Sequence, residues 1–165
     1  MNWIFGNNIN TDLITPGRYN ITTDAKELAK IVFIEHRPEF TKTVKKGDFI
    51  IAGNNFGCGS SRETAVTSLK ACGIKAVIAK SFARIFYRNC INWGLLAIIA
   101  ETENINEKDE LKINIEKQLI IIASKNTEKK AVIPPLMIKL YESGGIIPYL
   151  KKNGLESLKK LFPKI

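Results

Sequence analysis

The sequence predicts an α/β fold, a mixed sheet with parallel central strands flanked by helices. The apolar runs FIIAG, KAVIA and LLAIIA are continuous rather than alternating, as in strands covered on both faces. Between them lie SSRETAVTSLKACG and SFARIFYRNCINWG, which have helical spacing and end on glycine. After Glu101 the pattern changes to alternation broken by charged turns, which indicates antiparallel strands.

Taken in order, NWIF is a short strand, and residues 6–20 are rich in turn formers and form an irregular loop. Residues 22–33, TTDAKELAKIVF, open on capping residues and form a helix. RPEFTKTVKKGD is a connection into the buried strand FIIAG. Helix, strand KAVIA, helix and strand LLAIIA follow, giving two βαβ crossovers. Residues 109–133 form antiparallel β structure, PPLMIKLYESGG a short helix, and the chain ends in a basic helical tail over about residues 150–165.

A chain of 165 residues, 45% hydrophobic and 25% charged, has the composition of one globular domain, 1–165. The formal charge of +9 rests on 20 lysines against 5 arginines, with no aromatic-interleaved basic motif, so nucleic acid is not an expected partner. The charge favours small anionic ligands instead. No apolar run reaches the roughly 20 residues that span a bilayer, and MNWIFGNN has no leader pattern. The expected location is the cytoplasm, with no membrane partner. Cys58, Cys72 and Cys90 have neither disulfide-framework nor zinc spacing.

The chemistry concentrates in residues 53–65, GNNFGCGSSRETA. Ser60 and Glu63 match the S-x-x-E capping box, worth about 1 kcal/mol as a helix start. Gly57 and Gly59 let the backbone turn sharply and leave amides open at a helix N-terminus, where an anion is favoured. Arg62 adds a planar, bidentate cation suited to a carboxylate. The stretch lacks the glycine of a nucleophile elbow and the lysine of a P-loop. His36 lies in the polar segment EHRPEF and reads as a surface residue, not as the partner of Cys58. Cys58 itself reads as a small packed residue. Arg84 and Arg88 share a helix face, where they reach substrate or partner or form structural pairs; Phe82, Phe86 and Tyr87 read as core.

NNINTDLITPGRY, GNNFGCGSSRETA and GIKAVIAKSFARIFYRNCINWGL, in this order, resemble the swivel domain of the aconitase superfamily. More closely they resemble the stand-alone small subunit of 3-isopropylmalate dehydratase and homoaconitase, in a short archaeal-type form. The resemblance covers nearly the whole chain, and implies a swivelling β/β/α domain. It implies a hydro-lyase that moves a hydroxyl between neighbouring carbons of a hydroxy-dicarboxylate or tricarboxylate. A [4Fe-4S] cluster, held by a partner large subunit and not by this chain, acts on the hydroxyl. Ser60 is then the base, Arg62 and Ser61 bind a substrate carboxylate, and Asp12 lines the same site.

The resemblance also places substrate choice in the loop after the Thr-Asp motif, here Arg18, Tyr19, Asn20, Ile21 and Thr22. Homoaconitase-like members carry an arginine at the position of Ile21. An isoleucine cannot pair with a third carboxylate and suits an isopropyl group. The expected substrate is 3-isopropylmalate, in the leucine pathway. Asn20 departs from both patterns, so a methylmalate or dimethylmalate stays open. Arg18 in a shifted register would restore homoaconitate. A non-catalytic binding module is the alternative from another class.

Overall fold

The computed structural model describes residues 1–161. Strands β1 (Asn2–Ile4), β2 (Phe49–Ala52), β3 (Ala76–Ala79) and β4 (Leu96–Ala100) are parallel neighbours in that order. Strands β5 (Leu111–Asn114), β6 (Leu119–Ile122) and β7 (Thr127–Val132) form an antiparallel meander. Strand β7 joins it to β4, giving one seven-stranded sheet in the order β1-β2-β3-β4-β7-β6-β5. The expected mixed sheet with parallel central strands is thus observed, as is the antiparallel region after Glu101.

The register explains why the central strands are apolar on both faces. Ile4, Ile51, Ile78 and Ile98 form one cross-strand row, and Trp3, Ile50, Val77 and Ala97 another. All four residues of β2 and of β3 are buried. Each fully buried Ile or Val adds about 1.5–3 kcal/mol of transfer free energy. Shifting either strand by one residue would exchange these two rows between the faces.

The helices are α1 (Thr11–Ile14), α2 (Ala25–Ala29), α3 (Phe40–Thr43), α4 (Glu63–Ala71), α5 (Arg84–Trp93), α6 (Pro135–Ser143), α7 (Ile146–Asn153) and α8 (Leu158–Leu161). Helices α4 and α5 are the crossovers β2–β3 and β3–β4, and α2 packs on α4. The helix expected over 22–33 is confined to α2, because the chain breaks into turns from Lys30 to His36. Phe33, with φ of 56°, leaves the helical path there and points into the core with no exposed surface. The connection after Arg37 contains α3, whose Phe40 packs against Trp3 and Phe33. The basic tail is not one helix, since Gly154 separates α7 from a 3-10 turn and α8. Its expected end, 162–165, lies outside the described residues. No helix among the described residues is long and apolar enough to cross a membrane.

Candidate active site

Strands β1 and β2 are adjacent and parallel, so the loops leaving their C-terminal ends run side by side. Both loops begin Gly-Asn-Asn, at residues 6–8 and 53–55. The Asn7 side chain accepts the Asn54 N–H at 2.7 Å, and Asn55 Nδ2 donates to Asn8 Oδ1 at 2.9 Å. Further along, Gly57 N–H donates to Ile9 O at 2.7 Å and Thr11 N–H to Cys58 O at 2.8 Å, closing a parallel bridge between Asn10 and Cys58. The two loops therefore extend the sheet's pairing beyond its strands, as expected for a site at the carboxyl ends of an open α/β sheet.

Gly57 is required where the loop passes over α5. Its φ is 79°, and a Cβ there would come within 2.1 Å of Phe86 Cγ. Phe86 is buried in contact with Phe56 and Phe82, as its reading as core requires, while Phe82 and Tyr87 are half-buried beside it.

Ser60 is exposed at the end of this loop, and it is not the helix cap that the capping-box pattern suggests. Helix α4 starts at Glu63 with Arg62 at the N-cap position, and no side chain caps it. The glycine-rich turn places the helix start too far along the chain for Ser60 to reach it. The Ser60 N–H donates instead to Thr11 Oγ1 at 3.2 Å, and the two hydroxyls lie 3.0 Å apart. Ser61 is exposed beside it.

Asp12 follows Thr11 on α1, whose start is fixed by the Asn10 side chain accepting the Leu13 N–H at 2.7 Å. The Asp12 carboxylate is paired with the Arg62 guanidinium, which also donates to Thr15 O at 3.3 Å. Gly17 leaves room for this guanidinium, since a Cβ there would lie 3.1 Å from Arg62 Nη2. Ser60, Arg62 and Asp12 are thus brought together by two loops fifty residues apart.

The other expected binding residues occupy the outer rim. Arg18 forms an ion pair with Glu35 at 2.6 Å and lies over the Tyr19 ring, 5.1 Å from its centroid. Tyr19 is exposed, and Ile21 is 89% exposed. Asn20, Ile21, Thr22 and Thr23 line a shallow cavity of about 460 Å³ with Thr64 of α4. A larger groove of about 670 Å³, lined by Lys70, Trp93, Ile146 and Ile147 among others, includes none of Ser60, Ser61 and Arg62.

The model of the aconitase C-terminal domain matches residues 2–103, which include both loops and Asp12, Ser60, Ser61 and Arg62. The chain belongs to the aconitase family. A 3-isopropylmalate dehydratase small subunit of Archaeoglobus fulgidus is 50% identical, covering 92% of this chain and 93% of that protein. A methanogen homoaconitase small subunit of Methanocaldococcus jannaschii is 52% identical, covering 94% and 92%. An isopropylmalate/citramalate isomerase small subunit of the same organism is 49% identical, covering 94% of each. The crystal structure of a 3-isopropylmalate dehydratase from M. jannaschii superposes with a TM-score of 0.89 at 51% identity over 96% of both chains. The fold is thus that of an aconitase-type small subunit.

Aconitase-family dehydratases use a [4Fe-4S] cluster, and this chain's cysteines do not suit one. Among the described residues no group of three or more His, Cys, Asp and Glu side chains is placed to hold a metal ion. Cys90 is fully buried and burial pushes its thiol well up; burial pushes Cys72 up to about 12. Both are held as neutral thiols, whereas a cluster ligand is a thiolate. Cys58 is half-buried in the loop. Arg84 and Arg88 are exposed on α5, and His36 is exposed with its ring 6.0 Å from that of Phe5.

The residue that sequence reasoning missed is Thr11. It was legible only as the first half of the Thr-Asp pair, and its hydroxyl contact with Ser60 spans 49 positions.

Proposed function

We propose that this chain is the small subunit of a 3-isopropylmalate dehydratase, a hydro-lyase interconverting 2- and 3-isopropylmalate by dehydration and rehydration in leucine biosynthesis. The observation that carries this reading is the convergence of Ser60, Arg62 and Asp12 in a chain half identical, over nearly its full length, to proteins of that name. It works as one swivel unit in the cytoplasm, docked on a large subunit that holds the [4Fe-4S] cluster. Cys72 and Cys90, whose thiols burial holds in the neutral form, support that division.

The chain's own groups have distinct tasks. Arg62 offers its free guanidinium edge to one substrate carboxylate, and Ser61 donates a hydroxyl hydrogen bond to it. Asp12 holds the guanidinium plane in place. Ser60 Oγ takes the proton from the substrate carbon beside the one that loses its hydroxyl, and returns a proton on rehydration. A neutral serine is a very weak base, so this role needs its alkoxide, stabilised by donors aimed at the oxygen in a site closed to water by the partner. Ile21, Tyr19 and Arg18 face the variable substituent, and the apolar Ile21 favours isopropyl over carboxylate.

A second substrate reading rests on the relatives named homoaconitase and isopropylmalate/citramalate isomerase, whose identities lie within three percentage points of each other and of the dehydratase. Overall identity does not discriminate among them, which leaves the loop to do so. Reconstitution with the cognate large subunit, followed by relative kcat/KM on isopropylmalate, citramalate and homocitrate-type substrates, tests both readings. Preference for the tricarboxylate overturns the Ile21 argument. A Ser60→Ala complex with unchanged activity overturns the base assignment. A wild-type complex inert on all three favours a binding module.

A further inference from the structure

Thr11 is 1% exposed, immediately beneath the exposed Ser60. A threonine hydroxyl has one proton and two lone pairs. One lone pair is taken by the Ser60 N–H at 3.2 Å. The single proton then has two acceptors in reach, Ser60 Oγ at 3.0 Å and Ser60 O at 3.3 Å. These acceptors suit the two states of a base. While Ser60 carries its proton, Ser60 Oγ–H donates to the remaining lone pair of Thr11, and Thr11 O–H donates to Ser60 O. When Ser60 is an alkoxide, rotation about one C–O bond redirects the Thr11 proton to Oγ. No heavy atom moves, and the buried position denies water the same place.

We propose that Thr11 is a positioning residue for Ser60, a buried hydroxyl that fixes its backbone and donates to its oxygen in the charged state. The inference rests on the reading of Ser60 as the base and deepens it. Taking the substrate's proton converts the alkoxide to the hydroxyl, and returning that proton on rehydration regenerates it. A donor to the serine oxygen therefore acts by raising the fraction of Ser60 held as alkoxide in the complex, with little effect on substrate binding. No step passes through a group that this chain does not hold.

The test uses the purified complex with the large subunit, so that a poorly folding variant appears as less complex rather than as slower complex. Thr11→Val keeps the shape and removes the hydroxyl. It should lower kcat about 100-fold or more, with KM within about threefold, since only the charged state loses its donor. The primary deuterium isotope effect, with substrate labelled at the carbon that loses its proton, should rise because that step becomes slower. Thr11→Ser keeps the hydroxyl and should recover most of the rate. Near-normal kcat in Thr11→Val, an unchanged isotope effect, or failure of Thr11→Ser to recover activity each overturns the proposal. Ser60→Ala, assayed in parallel, separates the two layers. If it is inactive while Thr11→Val is normal, only this inference falls; if it is fully active, the base reading falls and this inference with it.

Discussion

The Asp12 carboxylate and the Arg62 guanidinium meet across fifty residues of sequence and brace the two site loops against each other. Arg62 is 28% exposed and Asp12 56%, so the pair lies at the mouth of the site, where solvent weakens its contribution to stability. Its value is geometric: one edge of the guanidinium is held by Asp12 and by Thr15 O.

Arg62→Lys keeps the charge and loses the planar fork, so it should raise KM about tenfold or more while shifting the melting temperature little. Steady-state kinetics and thermal unfolding on the same preparation check this. A large melting shift with unchanged KM would make Arg62 a structural residue.

Gly57→Ala should destabilise the chain by about 3 kcal/mol, because the new methyl meets both a positive φ and the Phe86 ring. The double variant Gly57→Ala, Phe86→Ala should cost less than the sum of the singles, since truncating the ring removes the overlap. Denaturant unfolding of the four proteins measures the coupling, and strict additivity would remove Phe86 as the cause.

Ile21→Arg should lower kcat/KM for isopropylmalate and raise it for a homologous tricarboxylate, with a combined change in preference of about 100-fold. Ile21 is 89% exposed, so the folded chain should tolerate the change without loss of stability. Competition between the two substrates in one assay gives the ratio directly.

Asp48 predicts the acid limb of stability. Burial alone would raise its carboxyl, but hydrogen bonds from the chain's amino group, the Lys45 N–H and Trp3 Nε1 outweigh it and hold the carboxyl below its usual value. A group depressed on folding contributes stability above its unfolded pKa of about 4, lost as pH falls through the lower folded value. The melting temperature of the wild-type chain should therefore fall between pH 4 and more acidic values, and Asp48→Asn should flatten that fall while lowering stability at pH 7. An equal slope in both proteins would locate the acid sensitivity elsewhere.

Apolar strand runs such as FIIA and AVIA were legible because burial on both faces leaves a local signature, and so were the glycine stops of α4, α5 and α6. The shortness of α2 was not, because Phe33 is drawn into the core by Trp3's neighbour Phe40 and Phe5, contacts invisible to local spacing. The same limit explains Ser60. S-x-x-E is a local pattern, and it lost to a hydroxyl contact supplied by Thr11 from another loop. Residue types at the site were readable from the motif; which of them touch depended on β1 and β2 being neighbours.

In the segment carrying Arg18, Tyr19 and Ile21, Arg18 is held by a solvent-exposed ion pair to Glu35, whereas Ser60 is anchored from below by a buried threonine. Neither Thr11 nor Ser60 draws its contact with the other from that outer segment. Under the proposed function, a lineage built on this scaffold exchanges one malate derivative for another at exposed positions such as Ile21, on which the buried core does not depend.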